Sequence, residues 1–409
     1  MPVEARSSVK QWLFLSLASL LVVVLAYEIA RRQDFMANGD FFDHWLGGRL
    51  IWTSKNIYDP SVWLPEHEPL GNTINHNPVF PYPPIVAFVM APFGLLPLSL
   101  ASVSWVITSA GLIFLSTRLV LSLAGMHERL AYLLPATAGV YLFRPVMVTL
   151  RNGQLGAVFL ICAVLAFWFL TQRRWIAGGV ALSLLVMRPP LGLPIIGMIG
   201  IWLFLKKRWE ALGSIAISLA ALALISWLRY PQWLGEWLKV GDTKLLKTFG
   251  YHPNIWGLSG LICKHDLTCT LAVGSFVMIL IFLALVLLLA RRTDESDGGT
   301  ALALMIPAGL LVTPYVWAYD QILLVLPILA VMIQTYRIGS RYLLTATIPL
   351  LMSCFALALL LGSLRVGTDA PSGVLTITCL VWLLLLLNIR SKRQATSSPP
   401  IYNPPTPDI

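Results

Sequence analysis

The chain has 409 residues, of which 57% are hydrophobic and 12% are charged, whereas soluble domains carry about 25% charged residues. Its mean hydropathy is +0.76. A chain this apolar cannot hide its side chains inside a water-soluble globule, so cytosolic, disordered and fibrous proteins are excluded. The formal net charge of +10 does not indicate nucleic-acid binding, because the basic excess lies in short loops between apolar runs, as in polytopic membrane proteins.

Twelve apolar runs are predicted to form transmembrane helices, since a span needs about 20 residues, or fewer inside a bundle. The first is followed by Arg31-Arg32 and not by a small-residue cleavage site, so it is predicted to be a helix and not a signal peptide. The runs are 11–30, 98–118, 129–148, 155–172, 175–187, 191–205, 211–228, 270–290, 299–313, 316–334, 342–363 and 371–389. A further run, 83–97, is rich in proline and is predicted to be re-entrant or interfacial.

The basic clusters fall in alternate gaps if those twelve runs cross the membrane and 83–97 does not. The positive-inside rule then places both termini in the cytoplasm. We therefore expect an all-α transmembrane domain over 1–389 and a disordered Ser/Pro-rich cytoplasmic tail over 390–409. Its two large outer loops are 31–82 and 229–268.

The first outer loop predicts an amphipathic helix after Asn38-Gly39, lying in the membrane interface with Trp45 and Trp52 as anchors. Asp40 is expected at its N-cap and Asp43 three residues later. Asp40 is either a capping carboxylate or a general base facing a cavity. The spacing of Asp40 and His44 could suit a metal, but no third ligand is evident, so no metal is predicted and dependence on a divalent cation is left open.

Unusual polar residues collect on the outer side, several of them at helix ends beside a proline. Because polar groups near membrane depth are costly, they favour a functional cavity that opens outward. They include Asp40, Asp43, Tyr82, Arg151, Gln154, Arg188, His252, Asn254, Tyr319 and Asp320. Two cysteines of the second outer loop, Cys263 and Cys269, could form a disulfide if the loop faces an oxidising compartment, or could be two free thiols.

The order of motifs resembles glycosyltransferase family 87 (DUF2029) of the GT-C superfold. Gly39-Asp40-Phe41-x-x-x-Trp45 leads into Gly47-Gly48-Arg49, and Tyr58-Asp59 and Tyr82-Pro83-Pro84 follow. Later segments with similar counterparts in the family are Asn152-Gly153-Gln154, Arg188-Pro189-Pro190, His252-Pro253-Asn254-Ile255-Trp256-Gly257 and Thr313-Pro314-Tyr315-Val316-Trp317. The chain departs from the family pattern at Arg188, where lysine is usual, and at His252 and Asn254.

The resemblance implies an integral membrane glycosyltransferase that moves a hexose such as mannose from a polyprenyl-phosphate donor to a lipid or glycan acceptor. The reaction inverts the anomeric centre, needs no cofactor, and takes place on the outer face, here expected to be that of a bacterial plasma membrane. The acidic residue of the first outer loop acts as the base, which maps to Asp40 with Asp43 as the alternative.

The departing lipid phosphate needs a cation. Arg188 is the first candidate, unless it forms a structural ion pair with Asp320, and Arg151 is the second, unless it is a solvated loop charge. Sugar or acceptor hydroxyls could be bound by Tyr82, Gln154, His252, Asn254, Tyr319 and Asp320. Gln154 could instead form an interhelical hydrogen bond, and Tyr319 and Asp320 could hold two helices together. His252 could have no role in binding or in proton transfer.

A polytopic transporter or lipid-linked-sugar flippase is the alternative function. Intramembrane charges and proline-broken helices would suit it. The long aromatic first outer loop, the lack of an internal repeat and the convergence of polar residues on one face argue against it.

Overall fold

The computed structural model describes residues 39–67, 77–239, 250–291, 298–337, 369–381 and 383–384. Every regular element in these ranges is a helix. The predicted helices 11–30 and 342–363, the end of 371–389 and the tail 390–409 lie outside the described residues. The division into a domain over 1–389 and a tail therefore stays a prediction.

The helices are numbered in chain order. They are α1 (Asp40–Leu50), α2 (Pro60–Trp63), α3 (Pro84–Gly94), α4 (Leu98–Ser122), α5 (Leu130–Leu142), α6 (Arg144–Arg151), α7 (Gly156–Thr171), α8 (Trp175–Ser183), α9 (Pro189–Leu205), α10 (Trp209–Arg229), α11 (Ile255–Ile262), α12 (Leu267–Arg291), α13 (Gly298–Val312) and α14 (Val325–Arg337). Four 3-10 turns join them, at Leu64–Glu66, Leu184–Met187, Ala318–Leu324 and Ala370–Ser372. The last of these begins an apolar helix over Ala370–Val381.

Three described helices are long and apolar enough to cross a membrane, namely α4, α10 and α12. A fourth span is possible where α5 and α6 form one segment bent by 63°. Large apolar side chains on α10 and α12 point outward, such as Ile217 and Phe276, which are 73% and 63% exposed. Such surfaces suit contact with lipid. The chain is therefore an all-helical membrane protein in its described part, and the number of twelve spans stays a prediction.

The shorter helices explain why the number of spans cannot be read from length alone. A helix rises 1.5 Å per residue, so the 11 residues of α3 reach about 16 Å, roughly half of the hydrocarbon thickness. This length agrees with the expectation that 83–97 does not cross alone. The predicted run 129–148 is broken at Phe143, whose extended backbone (φ −68°, ψ 120°) separates α5 from α6, and Pro145 lies in the first turn of α6.

The predicted helix after Gly39 exists as α1, but it does not have the expected amphipathic pattern of one buried face and one exposed face. Residues Phe41–Gly48 are all buried, including Asp43 and His44, so α1 has no solvent face over most of its length. Trp45 is buried and donates its indole N–H to the Leu96 carbonyl at 3.0 Å. Only Trp52, beyond the helix, is largely exposed. The expected solvent face is absent because Asp43 and His44 are covered by other parts of the protein, Asp43 by Asn77 and His44 by Tyr82.

Two glycines let α1 and α3 pack backbone against backbone. A Cβ on Gly48 would lie 2.4 Å from the Met90 carbonyl oxygen, and a Cβ on Gly94 would lie 2.2 Å from the Arg49 amide nitrogen. Both contacts are with main-chain atoms, which cannot move aside like a flexible side chain. This close crossing fixes α1 against the segment that follows Tyr82, and so fixes the start of α1.

We predict that Gly94→Ala lowers the thermal stability of the detergent-solubilised protein, at a cost of about 1–3 kcal/mol, because overpacking forces the two helices apart. Gly111→Ala is the matched control, since nothing lies within 4 Å of the added methyl group. Equal unfolding temperatures for the two variants would show that the crossing tolerates extra volume.

Candidate functional site

A cavity of about 790 Å³ lies where the start of α1, the segment before α3, the α8–α9 junction, residues 237–238 and the loop before Ala318 meet. Its lining residues are Asp40, Asn77, Pro81, Tyr82, Pro83, Arg188, Pro189, Pro190, Leu193, Pro194, Trp237, Leu238, Pro314, Tyr315, Trp317 and Tyr319. Four of the predicted site residues, Asp40, Tyr82, Arg188 and Tyr319, are therefore brought together. Most of the remaining wall is proline, aromatic or leucine.

Asp40 is the first residue of α1, and the N-cap position is Gly39. The expected N-cap role of Asp40 is therefore wrong by one residue. Its carboxylate accepts a short hydrogen bond from the Gln154 side-chain amide. Asp40 is exposed to the cavity, while Gln154 is buried behind it.

The turn that carries Gln154 depends on glycine. Gly153 has a φ of +61°, which L side chains rarely adopt, and a Cβ there would lie 2.7 Å from the Phe41 Cβ. Trp105 of α4 donates its indole N–H to the Gly153 carbonyl at 2.9 Å. The turn after α6 is thus held by α4 on one side and by the first turn of α1 on the other.

His44 lies beneath Tyr82, with ring centroids 4.7 Å apart, and is fully buried. Burial lowers the pKa of His44 to about 4, although the neighbouring Asp40 and Asp43 favour its charged form. His44 is therefore neutral at physiological pH and supports the Tyr82 ring without adding charge to the site.

Arg188 occupies a break between two helical segments. Its backbone leaves the helical region, with φ −125° and ψ 84°, because a residue before proline avoids the helical conformation. The first N–H groups of α9 do not face the cavity as free donors: Pro189 and Pro190 have none, and Leu191 and Gly192 donate to the Arg188 carbonyl. The guanidinium is consequently the cationic group that this junction offers to the cavity.

Asp320 holds that guanidinium. Arg188 Nη1 lies 2.8 Å from Asp320 Oδ1 in an ion pair whose side chains are 7% and 1% exposed. Asp320 Oδ2 accepts from the Trp317 amide at 2.8 Å. The Tyr319 ring lies 5.1 Å from the guanidinium carbon, in cation–π contact. Arg188 therefore forms the predicted ion pair and also lines the cavity. A structural ion pair with Asp320 and a position in the cavity are not alternatives for this residue.

His252 and Asn254 lie behind the cavity wall. The His252 ring is 5.0 Å from the rings of both Tyr315 and Trp317, and burial lowers its pKa to about 4. Asn254 caps α11 by accepting from the Gly257 amide at 2.9 Å, and its Nδ2 donates to the Thr313 carbonyl at 2.6 Å. In the described part of the chain neither residue lines the cavity, so direct sugar contact is not what their positions favour.

The second acid of α1 points to a different set of partners. Asp43 Oδ2 accepts from Asn77 Nδ2 at 2.6 Å, and Asp43 Oδ1 lies 3.5 Å from His67 Nε2. Asp43 does not line the cavity, although Asn77 does. Arg151 is exposed at the end of α6 and is also absent from the lining.

Several lining residues were not predicted as site residues: Asn77 and Trp237 were not noted in the sequence, and Tyr315 and Trp317 were noted only within a family motif. Trp237 donates its indole N–H to the Pro81 carbonyl at 3.0 Å, which ties the helical stretch at 233–239 to the segment before α3. No pattern in the sequence predicts this contact. Cys263 and Cys269, which the sequence left as a disulfide or two free thiols, form a disulfide between the end of α11 and the start of α12. Within the described residues, no three His, Cys, Asp or Glu side chains cluster as a metal site would need.

The sequence model of glycosyltransferase family 87 matches residues 80–327, more than half of the chain. The chain belongs to this family. No curated protein and no solved structure matches it. The matched stretch of this family 87 protein contains Tyr82, Gln154, Arg188, Tyr319 and Asp320, whereas α1 with Asp40 and Asp43 precedes it.

Removing one partner of the buried ion pair should destabilise the protein strongly. In Asp320→Asn the buried Arg188 loses its counter-charge, which typically costs about 3–5 kcal/mol. We expect a large fall in unfolding temperature in detergent, partly restored by adding Arg188→Gln. The exposed pair of Lys55 and Glu66 is the control, because Glu66→Gln should cost less than about 1 kcal/mol. A small effect of Asp320→Asn, similar to that control, would contradict the importance of the pair.

The pair of Asp43 and His67 should make stability depend on pH. Burial alone would lower the pKa of His67, but its bonds to Asp43 and to the Trp63 carbonyl raise the pKa above its ordinary value. Stability from this pair is therefore fully present below about pH 6.5, the ordinary value for histidine, and is lost as pH rises through the raised pKa. Unfolding temperatures measured from about pH 5.5 to 8.5 should converge with those of His67→Gln at the alkaline end. A constant difference across this range would exclude a titrating pair.

Proposed function

We propose that this family 87 glycosyltransferase transfers a hexose, such as mannose, from a polyprenyl-phosphate donor to a hydroxyl group of a lipid or glycan acceptor on the outer membrane face. Asp40 is the general base, and Arg188 binds the donor phosphate. The observation that carries this proposal is that one carboxylate and one guanidinium line a single cavity with largely apolar walls.

The chemistry requires opposite charges at two ends of one site. The acceptor oxygen attacks the anomeric carbon, the bond from that carbon to the phosphate oxygen breaks, and the electron pair leaves with the lipid phosphate. The acceptor proton passes to Asp40. A single displacement of this kind inverts the anomeric centre. General-base catalysis of such a step typically contributes about 10²–10⁴-fold.

The leaving phosphate gains negative charge as the bond breaks. The reaction therefore needs a cationic hydrogen-bond donor that is already in position to meet this charge. Asp320 and Tyr319 orient the Arg188 guanidinium from one side. A guanidinium has five N–H donors, and these two contacts do not use them all. The remaining donors suit two phosphate oxygens.

The cavity also has the size and surface that a lipid-linked sugar needs. Small-molecule sites span about 300–1,000 Å³ and are mostly apolar, with a few polar groups, and this one falls in that range. Leu193, Pro194 and Leu238 offer apolar contact to the first prenyl units, while Tyr82 and Tyr319 can bind sugar hydroxyls. The rest of a long prenyl chain would lie along the lipid-facing helices.

The test is sugar transfer by the purified full-length protein from a polyprenyl-phosphate mannose donor to crude membrane acceptors. We predict that Asp40→Asn lowers kcat by about 10²–10⁴-fold with little change in donor affinity, because only the base is lost. Arg188→Lys should weaken donor binding, since lysine keeps the charge but not the fork of donors. Glu128→Gln is the control, with a carboxylate that is 80% exposed.

Three results would contradict the proposal. Transfer by Asp40→Asn at the wild-type rate would remove Asp40 as the base, and loss of transfer in Asp43→Asn alone would move that role to Asp43. Absence of transfer by the wild-type protein from polyprenyl-phosphate donors carrying any hexose would remove the donor class.

A further inference from the structure

One contact at the site that the proposed function does not explain joins Asp40 to Gln154, 114 residues later in the chain. An ionised carboxylate can only accept hydrogen bonds, so the group of Gln154 that faces Asp40 must be its amide N–H. Gln154 is 1% exposed and does not line the cavity in the described part of the chain. Any effect of Gln154 on a substrate in the cavity must therefore be transmitted through Asp40.

The turn around Gln154 is built to hold this position. Gly153 adopts its positive φ where a side chain would collide with Phe41, the residue after Asp40. The Trp105 indole fixes the Gly153 carbonyl. The main chain before Gln154 is thus pressed against the first turn of α1. A substrate-binding residue would not need this attachment to the helix that carries the base.

The geometry points to Gln154 as a positioning residue: its amide holds Asp40 Oδ2, so that Oδ1 is the oxygen presented to the acceptor hydroxyl. This inference rests on the proposed function, in which Asp40 is the base. It differs from the expectation that Gln154 binds a sugar hydroxyl, because a positioning residue affects kcat and the ionisation of Asp40, whereas a sugar ligand affects substrate affinity.

Asp40 also feels other groups, which stay constant in the test. They are His44 on the same helix, Tyr82 from the segment before α3, Arg188 at the α8–α9 junction, which lines the same cavity, and Tyr315, Tyr319 and the buried Asp320 on the far side. A change in the pH response of Asp40 after substitution of Gln154 alone therefore reports the loss of the amide bond.

We predict that Gln154→Met, which keeps the shape but removes the N–H donor, lowers kcat by about 10–100-fold, the range of a hydrogen bond to a charged group. The KM for the donor should change little. The acidic limb of the kcat/KM profile should move to higher pH, because a hydrogen bond that favours the charged carboxylate is lost. Gln154→Glu should move it further, since two carboxyl groups then share one site.

A second measurement does not depend on transfer. The hydrophobic carbodiimide dicyclohexylcarbodiimide reacts with protonated carboxyl groups, so mass spectrometry of the Asp40 peptide across pH gives the midpoint of its labelling. This midpoint should rise in Gln154→Met and rise further in Gln154→Glu. Gln321→Met is the matched control, because this buried glutamine donates to the Ser372 carbonyl and Thr376 and not to Asp40; its midpoint should equal that of the wild type.

The outcomes separate the two proposals. A labelling midpoint in Gln154→Met equal to that of the wild type overturns the positioning role, as does a rise in KM with unchanged kcat. If the wild-type protein transfers no sugar, the proposed function fails, while the labelling midpoint still decides whether Gln154 controls the ionisation of Asp40.

Discussion

The site depends on keeping one cation, Arg188, at the border of an apolar interior. Moving such a charge out of water is costly unless a counter-charge and hydrogen bonds meet it. Asp320 provides that counter-charge at 2.8 Å and is itself fixed by the Trp317 amide. The loop before Ala318 and the junction between α8 and α9 are consequently held together, and this contact forms one side of the cavity. The ion pair does not occupy all the N–H donors of this guanidinium, which also lines the cavity.

The opposite side of the cavity depends on close packing without side chains. Gly48 and Gly94 let α1 and α3 touch main chain to main chain, and Gly153 lets the turn after α6 approach Phe41. Prolines end or start the segments that meet at the cavity, at Pro83, Pro189 and Pro314. Such breaks bring helix ends and their polar groups to the cavity wall, where the surrounding protein covers the irregular backbone. Small residues and breaks therefore serve the same end, which is to bring helix ends together around one cavity.

Much of this arrangement could be predicted from the sequence, and the exceptions have physical causes. The family, the all-helical class, the helix after Gly39 and the shared location of Asp40, Tyr82, Arg188 and Tyr319 followed from motifs and apolar periodicity. The burial of α1 did not follow, because Asp43 and His44 look like a solvent face until Asn77 and Tyr82 are known to cover them. Asn254 looked like a ligand because capping and binding use the same amide, and its role appears only with Gly257 and Thr313 in place.

The choice between the two acids of α1 illustrates this limit most clearly. Residues three apart lie on the same side of a helix, so helix position alone does not separate Asp40 from Asp43, and the preference for Asp40 came from the family resemblance. Their partners distinguish them. Both Asp43 oxygens are engaged, one by Asn77 and the other by His67, whereas Asp40 has a single hydrogen bond among the described residues, from Gln154. A base must keep one oxygen free to accept a proton from the substrate, and of the two acids only Asp40 both lines the cavity and retains such an oxygen.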